Sequence, residues 1–483
     1  MVPMKRVALI ALIVVLSAGN RSAAAEALPP VPAIPDEKVG VFRHLEAFQE
    51  IAAANGGTRA SGTAGYDRSA AYVAEKLEAA GYRVRFEEFT FPYFEDRTPP
   101  VLAVEGVPEA EAGNVRTLTN SGSADVTAPL RAVNLELTDT PAASSSGCAA
   151  HDFDGFVRGA IALVRRGTCT FQVKAENAVA AGAVGVVIMN EGTAGRTDGF
   201  SGLLNKAPGV PVVGISYDRG TALERLLRAG TVSARLAVDA VAGQRSTRNV
   251  LTEPDVRGTH PLIVVGAHLD SVPEGPGIND NGSGAAAVLE AALAFAEAFQ
   301  RAPGDVQFAF WGAEERGLVG SRHHVGTLSE EERRRIGVYI NLDMVGSPNP
   351  ARFIQRSSDA DSPLAGSVRQ KLLAEFQDRS VPVEERAGGR TGTDDAAFFQ
   401  KGIPTVGLHT GAGARKSQAQ ADLFGGAAGK PFDPCYHKAC DTTANIDREA
   451  LEQNARALVR VLAAVTPRTA DTSNGKTGVP EPQ

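Results

Sequence analysis

The sequence predicts an α/β fold, a sheet with helices on its faces, interrupted by a smaller inserted domain. Three observations predict it. From about residue 246 onward, strand-length apolar runs alternate with helix-length runs at the spacing of an α/β sheet. The runs at 262–266, 306–311 and 338–342 have the continuous apolar character of buried strands. Between about 126 and 240 the texture changes to short strands and Ala-rich helix, which separates the N-terminal helices from the later α/β part.

In chain order, the first 25 residues form a class of their own. Lys5 and Arg6 precede an apolar run from Val7 to Leu16, and Ala23, Ala24 and Ala25 offer a small-residue cleavage site. This is the pattern of a secretory signal peptide, since the run is shorter than the roughly 20 residues a bilayer-spanning helix needs. A Pro-rich leader follows, and then an amphipathic helix over 37–55, with Val41, Leu45, Phe48 and Ile51 at helical spacing. After the Gly-rich turn GGTRASGTAG, a second helix is expected over 67–80, stopped at Gly81, and then a strand over 82–91. Within the insertion, strands are expected at 160–164 and 184–189 and a helix at 172–181, ended at Gly182. Beyond it come the strand 262–266, a long helix 283–300, the strand 306–311, a helix 329–336 and the strand 338–342. The tail 467–483 is Thr, Asp, Ser, Gly and Pro, a composition that predicts disorder. The expected organisation is a signal peptide at 1–25, a main domain in two pieces at 26–125 and 241–466, the insertion at 126–240, and the tail.

Composition excludes some functions. The 483 residues are 43% hydrophobic, enough for a large core, and the formal net charge is -7 with no basic clustering, which argues against a nucleic-acid partner. No later segment reads as transmembrane, so the mature chain is expected to be soluble, exported (extracellular or periplasmic) and monomeric. Export permits disulfides. The four cysteines, Cys148, Cys169, Cys435 and Cys440, allow three pairings. Local spacing favours Cys148 with Cys169 and Cys435 with Cys440.

The chemistry is concentrated in a few fragments. Residues 266–284 read GAHLDSVPEGPGINDNGSG, and downstream lie Glu314-Glu315, Asp343 and Tyr436-His437. His268, Asp280, Asp343, His437 and one of the paired glutamates form a ligand inventory for two zinc ions, which take imidazole and carboxylate donors and can share a carboxylate bridge. Asp280, in its Gly-rich loop, is the bridge candidate. Asp270, two residues from His268, is placed to orient the imidazole. Of Glu314 and Glu315, one can ligate while the other acts as general base on a bridging water. Taken singly, each fragment has an ordinary reading as a surface pair, a turn or a loop staple; their combination at strand ends does not. The adjacent His323 and His324 lie on a helix, where neighbours face different ways, and one of them is read as a buried structural histidine.

Beyond this inventory, the fragments GAHLDSV, GPGINDNGSG, WGAEERGLVGS, YINLDMVGS, GIPTVGLHTGAG and DPCYHKACDT occur in that order. Together they make the chain resemble the secreted bacterial co-catalytic dizinc aminopeptidases, the leucyl-aminopeptidase-like metallo-exopeptidases. The resemblance covers about 26–122 and 246–466. It implies a three-layer α/β/α sandwich with a mixed central sheet, and peptides with a free N-terminus as substrates. It implies His268 and Asp343 on one Zn2+, Glu315 and His437 on the other, Asp280 bridging, Glu314 as base, Tyr436 as oxyanion donor and a cis Asp280–Asn281 bond. The insertion, through GCAAHDFDGFVRGAIALVRRGTCTFQVKAENAVAAGAVGVVIMN, is similar to protease-associated domains, mostly β with helices, whose two cysteines pair.

The chain also departs from that pattern. Thr393-Asp394-Asp395-Ala396-Ala397-Phe398 stands where relatives read Ser-Asp-His-x-Pro-Phe. Gly392 replaces an arginine, with Arg390 nearby, and His409 replaces an aromatic. These changes bear on substrate grip, for which Met344, His409 and Cys435 are the expected lining, suited to an apolar or broad first residue. A carboxypeptidase or glutaminyl cyclase of the same fold, and an inactive peptide-binding protein, are the competing readings. The full ligand set argues against the cyclase, and the intact base argues against the inactive form.

Overall fold

The computed structural model describes residues 40–107, 114–135, 137, 144–193, 196–254, 260–299, 305–357, 362–388 and 392–466. The expected signal peptide, the leader, Arg390 and the tail lie outside the described residues. Among the described residues the strands are β1 (Val84–Val104), β2 (Val115–Thr117), β3 (Ala124–Ala132), β4 (Ile161–Arg165), β5 (Gly185–Met189), β6 (Val212–Ile215) and β7 (Val232–Thr252). They continue with β8 (Leu262–His268), β9 (Val306–Trp311), β10 (Ile336–Leu342), β11 (Phe353–Ser357), β12 (Glu384–Gly388) and β13 (Thr405–His409).

These strands join in the order β12-β11-β13-β10-β8-β9-β7-β3-β4-β5-β6-β2, with β1 on β7. The first half of that order is the main sheet. β8, β9, β10 and β13 run parallel, while β7 is antiparallel to β9 and β11 is antiparallel to β13 but parallel to β12, so the sheet is mixed, as the resemblance implies. Every residue of β8 and β9 is buried, because helices cover both faces. One face packs on the helices Val41–Ala54, Ala64–Ala79, Gly284–Phe299, Pro363–Asp378 and Arg448–Val465, through Leu45, Phe48, Val73, Phe295, Leu372 and Leu458. The other face packs Trp311, Tyr339 and Phe398 with Val325, from the short helices Val319–Thr327 and Asp395–Phe399. The architecture is therefore a three-layer α/β/α sandwich.

Residues of the insertion fold around their own sheet. β4, β5 and β6 are parallel and buried throughout. One face is covered by the helix Tyr217–Ala229 through Leu223, the other by Phe171–Ala180 through Ala175 and Ala178. β2, which precedes residue 126, pairs with β6 and belongs to this sheet. The lobe joins the main sheet through a ribbon in which β1 and β7 pair antiparallel from Val84 with Thr252 to Val104 with Ala234. The expected strand at 82–91 is thus the first half of a much longer one, whose second half lies in the lobe. The disulfides are Cys148–Cys169, inside the lobe, and Cys435–Cys440.

The helices expected at 67–80, 172–181, 283–300 and 329–336 are found at Ala64–Ala79, Phe171–Ala180, Gly284–Phe299 and Glu330–Arg335. Ser329 caps the last of these with a capping box to Glu332.

Candidate metal centre

The carboxyl ends of the parallel strands bring the predicted residues together. His268 is the last residue of β8, Glu314-Glu315 follow β9, and Asp343 follows β10. Open α/β sheets place their sites at this edge because the strands end there and the loops diverge. Asp280 comes from the loop ahead of the helix Gly284–Phe299, with a cis Asp280–Asn281 peptide bond. His437 arrives from the Cys435–Cys440 loop with φ at 57°.

Asp280 lies between the two histidines. Its Oδ1 is 3.4 Å from His268 Nε2 and its Oδ2 is 3.1 Å from His437 Nε2. Each histidine has a second carboxylate: Asp343 Oδ1 at 3.5 Å from His268 Nε2, and Glu315 Oε2 at 3.2 Å from His437 Nε2. Two sets of ligand atoms, His268, Asp280, Asp343 and Asp280, Glu315, His437, each lie within 4.8 Å of one another. Asp280 is common to both.

The supporting bonds fix these groups. His268 Nδ1 is 3.1 Å from the backbone carbonyl of Asp270, which makes Nδ1 the donor and turns Nε2 toward the cluster. The Asp270 carboxylate is 3.7 Å from the same nitrogen and accepts the Glu314 backbone N–H at 3.1 Å. The sequence assigns Asp270 one task, orienting the imidazole. The structure performs that task through its carbonyl and uses the carboxylate to hold the backbone of Glu314.

Charge is crowded here. Burial and the neighbouring carboxylates, Asp394 among them, push Glu314 well above the usual carboxylate range. Burial and Asp280 push Glu315 up to about 7. Burial, resisted by His268, leaves Asp394 at about 7. Burial alone would raise Asp280 as well, but its contacts with His268 and His437 outweigh that and hold it low. His437 is lowered by burial but raised more by Asp280 and Glu315, to about 10. The arrangement calls for positive charge among the carboxylates.

A cavity of about 230 Å³ opens over the cluster. Tyr436 stacks on His437 at 3.8 Å between ring centroids and lines the cavity with Met344 and His409. His409 Nδ1 donates to the Asp343 carbonyl at 2.7 Å. Cys435 does not line the cavity, which corrects its expected place in the pocket; its sulfur is bonded to Cys440, the pairing that local spacing favours. The departures Gly392 and Thr393 do line it, together with Gln355 and Ala412, which sequence reasoning missed. Gln355 lies on β11, a short strand with no motif around it. His324 is the structural histidine of the adjacent pair, buried and 3.1 Å from Glu87.

The chain and its fold are similar to known proteins. The model of peptidase family M28 matches residues 249–462 and that of the PA domain matches residues 126–223. An aminopeptidase of Pseudomonas aeruginosa is 41% identical over 441 residues, covering 87% of this chain and 79% of that protein. A probable leucine aminopeptidase 2 of Aspergillus fumigatus is 35% identical, over 84% of this chain and 78% of its own length. Among solved structures, an aminopeptidase from Aneurinibacillus sp. strain AM-1 superposes with a TM-score of 0.68 at 26% identity, covering 89% of this chain and 95% of that one. A zinc aminopeptidase from Bacillus subtilis gives 0.65 at 25% identity, with coverage of 89% and 95%.

Proposed function

Because the chain belongs to peptidase family M28 and is a metallo-aminopeptidase with an inserted PA domain, we propose that it is a secreted enzyme that uses two zinc ions to release N-terminal residues from peptides. One observation carries the two-ion reading: the Asp280 carboxylate divides its oxygens between His268 and His437, each of which has a carboxylate of its own. The residues present fit zinc. The donors are imidazole and carboxylate, and buried oxygens of Glu315 (Oε1) and Asp343 (Oδ1) have no hydrogen-bond partner. His268 and Asp343 would hold one ion, Glu315 and His437 the other, with Asp280 shared.

Bound zinc supplies Lewis acidity and lowers the pKa of water toward neutrality. The chain's own residues do the rest. Glu314, held by Asp270 through its backbone, takes the proton from the attacking water and passes it to the leaving amine. In the presence of cations this carboxylate ionises more readily than in their absence. Burial and the nearby Asp280 push the Tyr436 phenol well up, so it keeps its proton and donates to the carbonyl oxygen as negative charge develops there. The surplus of carboxylates attracts the free amine of the substrate. Met344 and His409 wall the space for the first side chain, which supports an apolar or broad preference.

Secretion is supported by the signal pattern at 1–25, and no helix among the described residues is long and apolar enough to cross a membrane. We read the working form as a monomer without nucleic-acid or membrane partners, and 126–240 as the extent of the insertion. Metal analysis of the purified protein, with turnover of a panel of aminoacyl-p-nitroanilides, tests the assignment. Glu314→Gln is expected to keep its zinc and lose activity by about 10²- to 10⁴-fold. Hydrolysis at the wild-type rate by that variant would remove Glu314 from the role of base.

A further inference from the structure

Arg59 is fully buried, with no carboxylate in contact. Its guanidinium donates to backbone carbonyls instead: Nε to Pro276 at 2.8 Å, Nη2 to Gly277 at 2.5 Å and Nη1 to Leu269. Leu269 follows His268, and Pro276 and Gly277 lead into Asp280. One side chain therefore ties the strand end bearing one ligand to the loop bearing the shared ligand. Burial lowers Arg59 only to about 10, so it stays charged at neutral pH.

The following residues of the same loop are held by a carboxylate. Asp441 Oδ1 accepts the Asn279 backbone N–H at 2.8 Å and Oδ2 accepts that of Asp280 itself at 3.0 Å, while the Asp441 carbonyl accepts from Ile278 at 3.1 Å. A Cβ on Gly275 would strike the carbonyl of Lys438, so loop and Cys435–Asp441 segment are in backbone contact. The loop thus has carbonyls facing the Arg59 guanidinium, which donates, and N–H groups facing the Asp441 carboxyl oxygens, which accept.

We propose that Arg59 and Asp441 are positioning residues of the metal centre, a two-sided clamp that sets where Asp280 presents its carboxylate to both ions. Arginine suits one jaw because its planar fork reaches several carbonyls at once, which a lysine ammonium does not. An aspartate suits the other because both its oxygens accept. Arg59 comes from the turn GGTRASGTAG, ahead of the matched family region, and Asp441 lies four residues beyond His437. The inference rests on the metal-binding reading above.

The test uses Asp441→Asn, which keeps the shape but turns a donor toward one of the N–H groups, and Arg59→Lys, which keeps the charge but loses the fork. Zinc affinity is measured by competition with a chelator, coordination by the visible spectrum of the cobalt-substituted protein, and folding by the thermal midpoint of the metal-free form. The expected result is a loss of zinc affinity of about 10- to 100-fold and an altered cobalt spectrum, in protein whose metal-free midpoint is that of the wild type. Wild-type affinity and spectrum in Asp441→Asn overturn the clamp, whether or not the midpoint falls. If Arg59→Lys fails to fold, Asp441→Asn decides the matter. A wild-type protein that binds no zinc would instead overturn the metal-binding reading itself.

Discussion

Glu87 offers a test of the structure that is independent of the metals. Its carboxylate is buried at 8% exposure between three elements: it accepts from Asn249 Nδ2 on β7 at 2.9 Å, from Arg85 on its own strand at 3.2 Å, and from His324 Nδ1 on the helix Val319–Thr327 at 3.1 Å. Burial alone would raise its pKa, but these partners, His324 first, hold it down at about 2 against an ordinary 4.5. A depressed carboxylate contributes stability that is present in full above its unfolded pKa and is lost as pH falls through the folded one. The shift corresponds to about 3 kcal/mol above pH 5 or so, shrinking to roughly 1 kcal/mol near pH 3. Glu87→Gln should therefore be less stable than the wild type by up to that amount at neutral pH, and the gap should close on acidification. Urea denaturation of the chelated protein measures it, since the ligand carboxylates then titrate alike in both proteins. The probe is built in: Trp311 is the single tryptophan, fully buried, with its ring 5.2 Å from that of His324. A gap that stays constant from neutral pH to about pH 3 would refute the charged-network account.

Further outcomes can be checked by simpler means. Among the described residues Gln355 is the one amide in the cavity wall, so Gln355→Leu should raise the kcat/KM ratio of leucyl over glutaminyl p-nitroanilide by about tenfold; an unchanged ratio places the first side chain elsewhere. If the inserted lobe limits substrate size, joining Glu95 to Val241 through an Asn-Gly turn should leave zinc binding intact and raise the rate on long peptides relative to p-nitroanilides. An unchanged relative rate would exclude a sieving role.

Much of the main sheet was legible because its strands are covered on both faces and so read as unbroken apolar runs; β8 and β9 are examples. The ribbon was not. In β1 the stretch Glu95, Asp96, Arg97 and Pro99-Pro100 reads as a loop; Arg97 and Pro99-Pro100 fall at register shifts, and pairing of Glu95, Asp96, Thr98 and Val101 with β7 carries the strand through. β11 and β12 carry no motif and are fixed by their neighbours in the sheet. At the site, the proposed ligands were legible because zinc chemistry restricts residue type and each candidate sits at a strand end or in a loop. The groups that hold them were not. Arg59 and Asp441 act on backbone carbonyls and N–H groups, which every residue possesses and no sequence pattern marks. Cys435 shows the opposite error: its disulfide to Cys440 was legible from spacing, but the place expected for it in the cavity wall was not found.

The β1–β7 ribbon has a consequence for how the chain folds. The main sheet needs Val84 beside Thr252, a contact separated by the entire insertion. Closing so long a loop in an unstructured chain is entropically costly, and contacts of this kind slow folding. The lobe has hydrophobic clusters on both faces of its own sheet, the basis for folding as a unit. Once it does, its halves of β1 and β7 are already side by side, and the remaining pairs can zip toward the main sheet from a closed end. The insertion then acts as a template that shortens the effective loop. His437 and Asp441 follow every strand of the main sheet in sequence, so the proposed metal centre is completed only after both pieces of that sheet have been made.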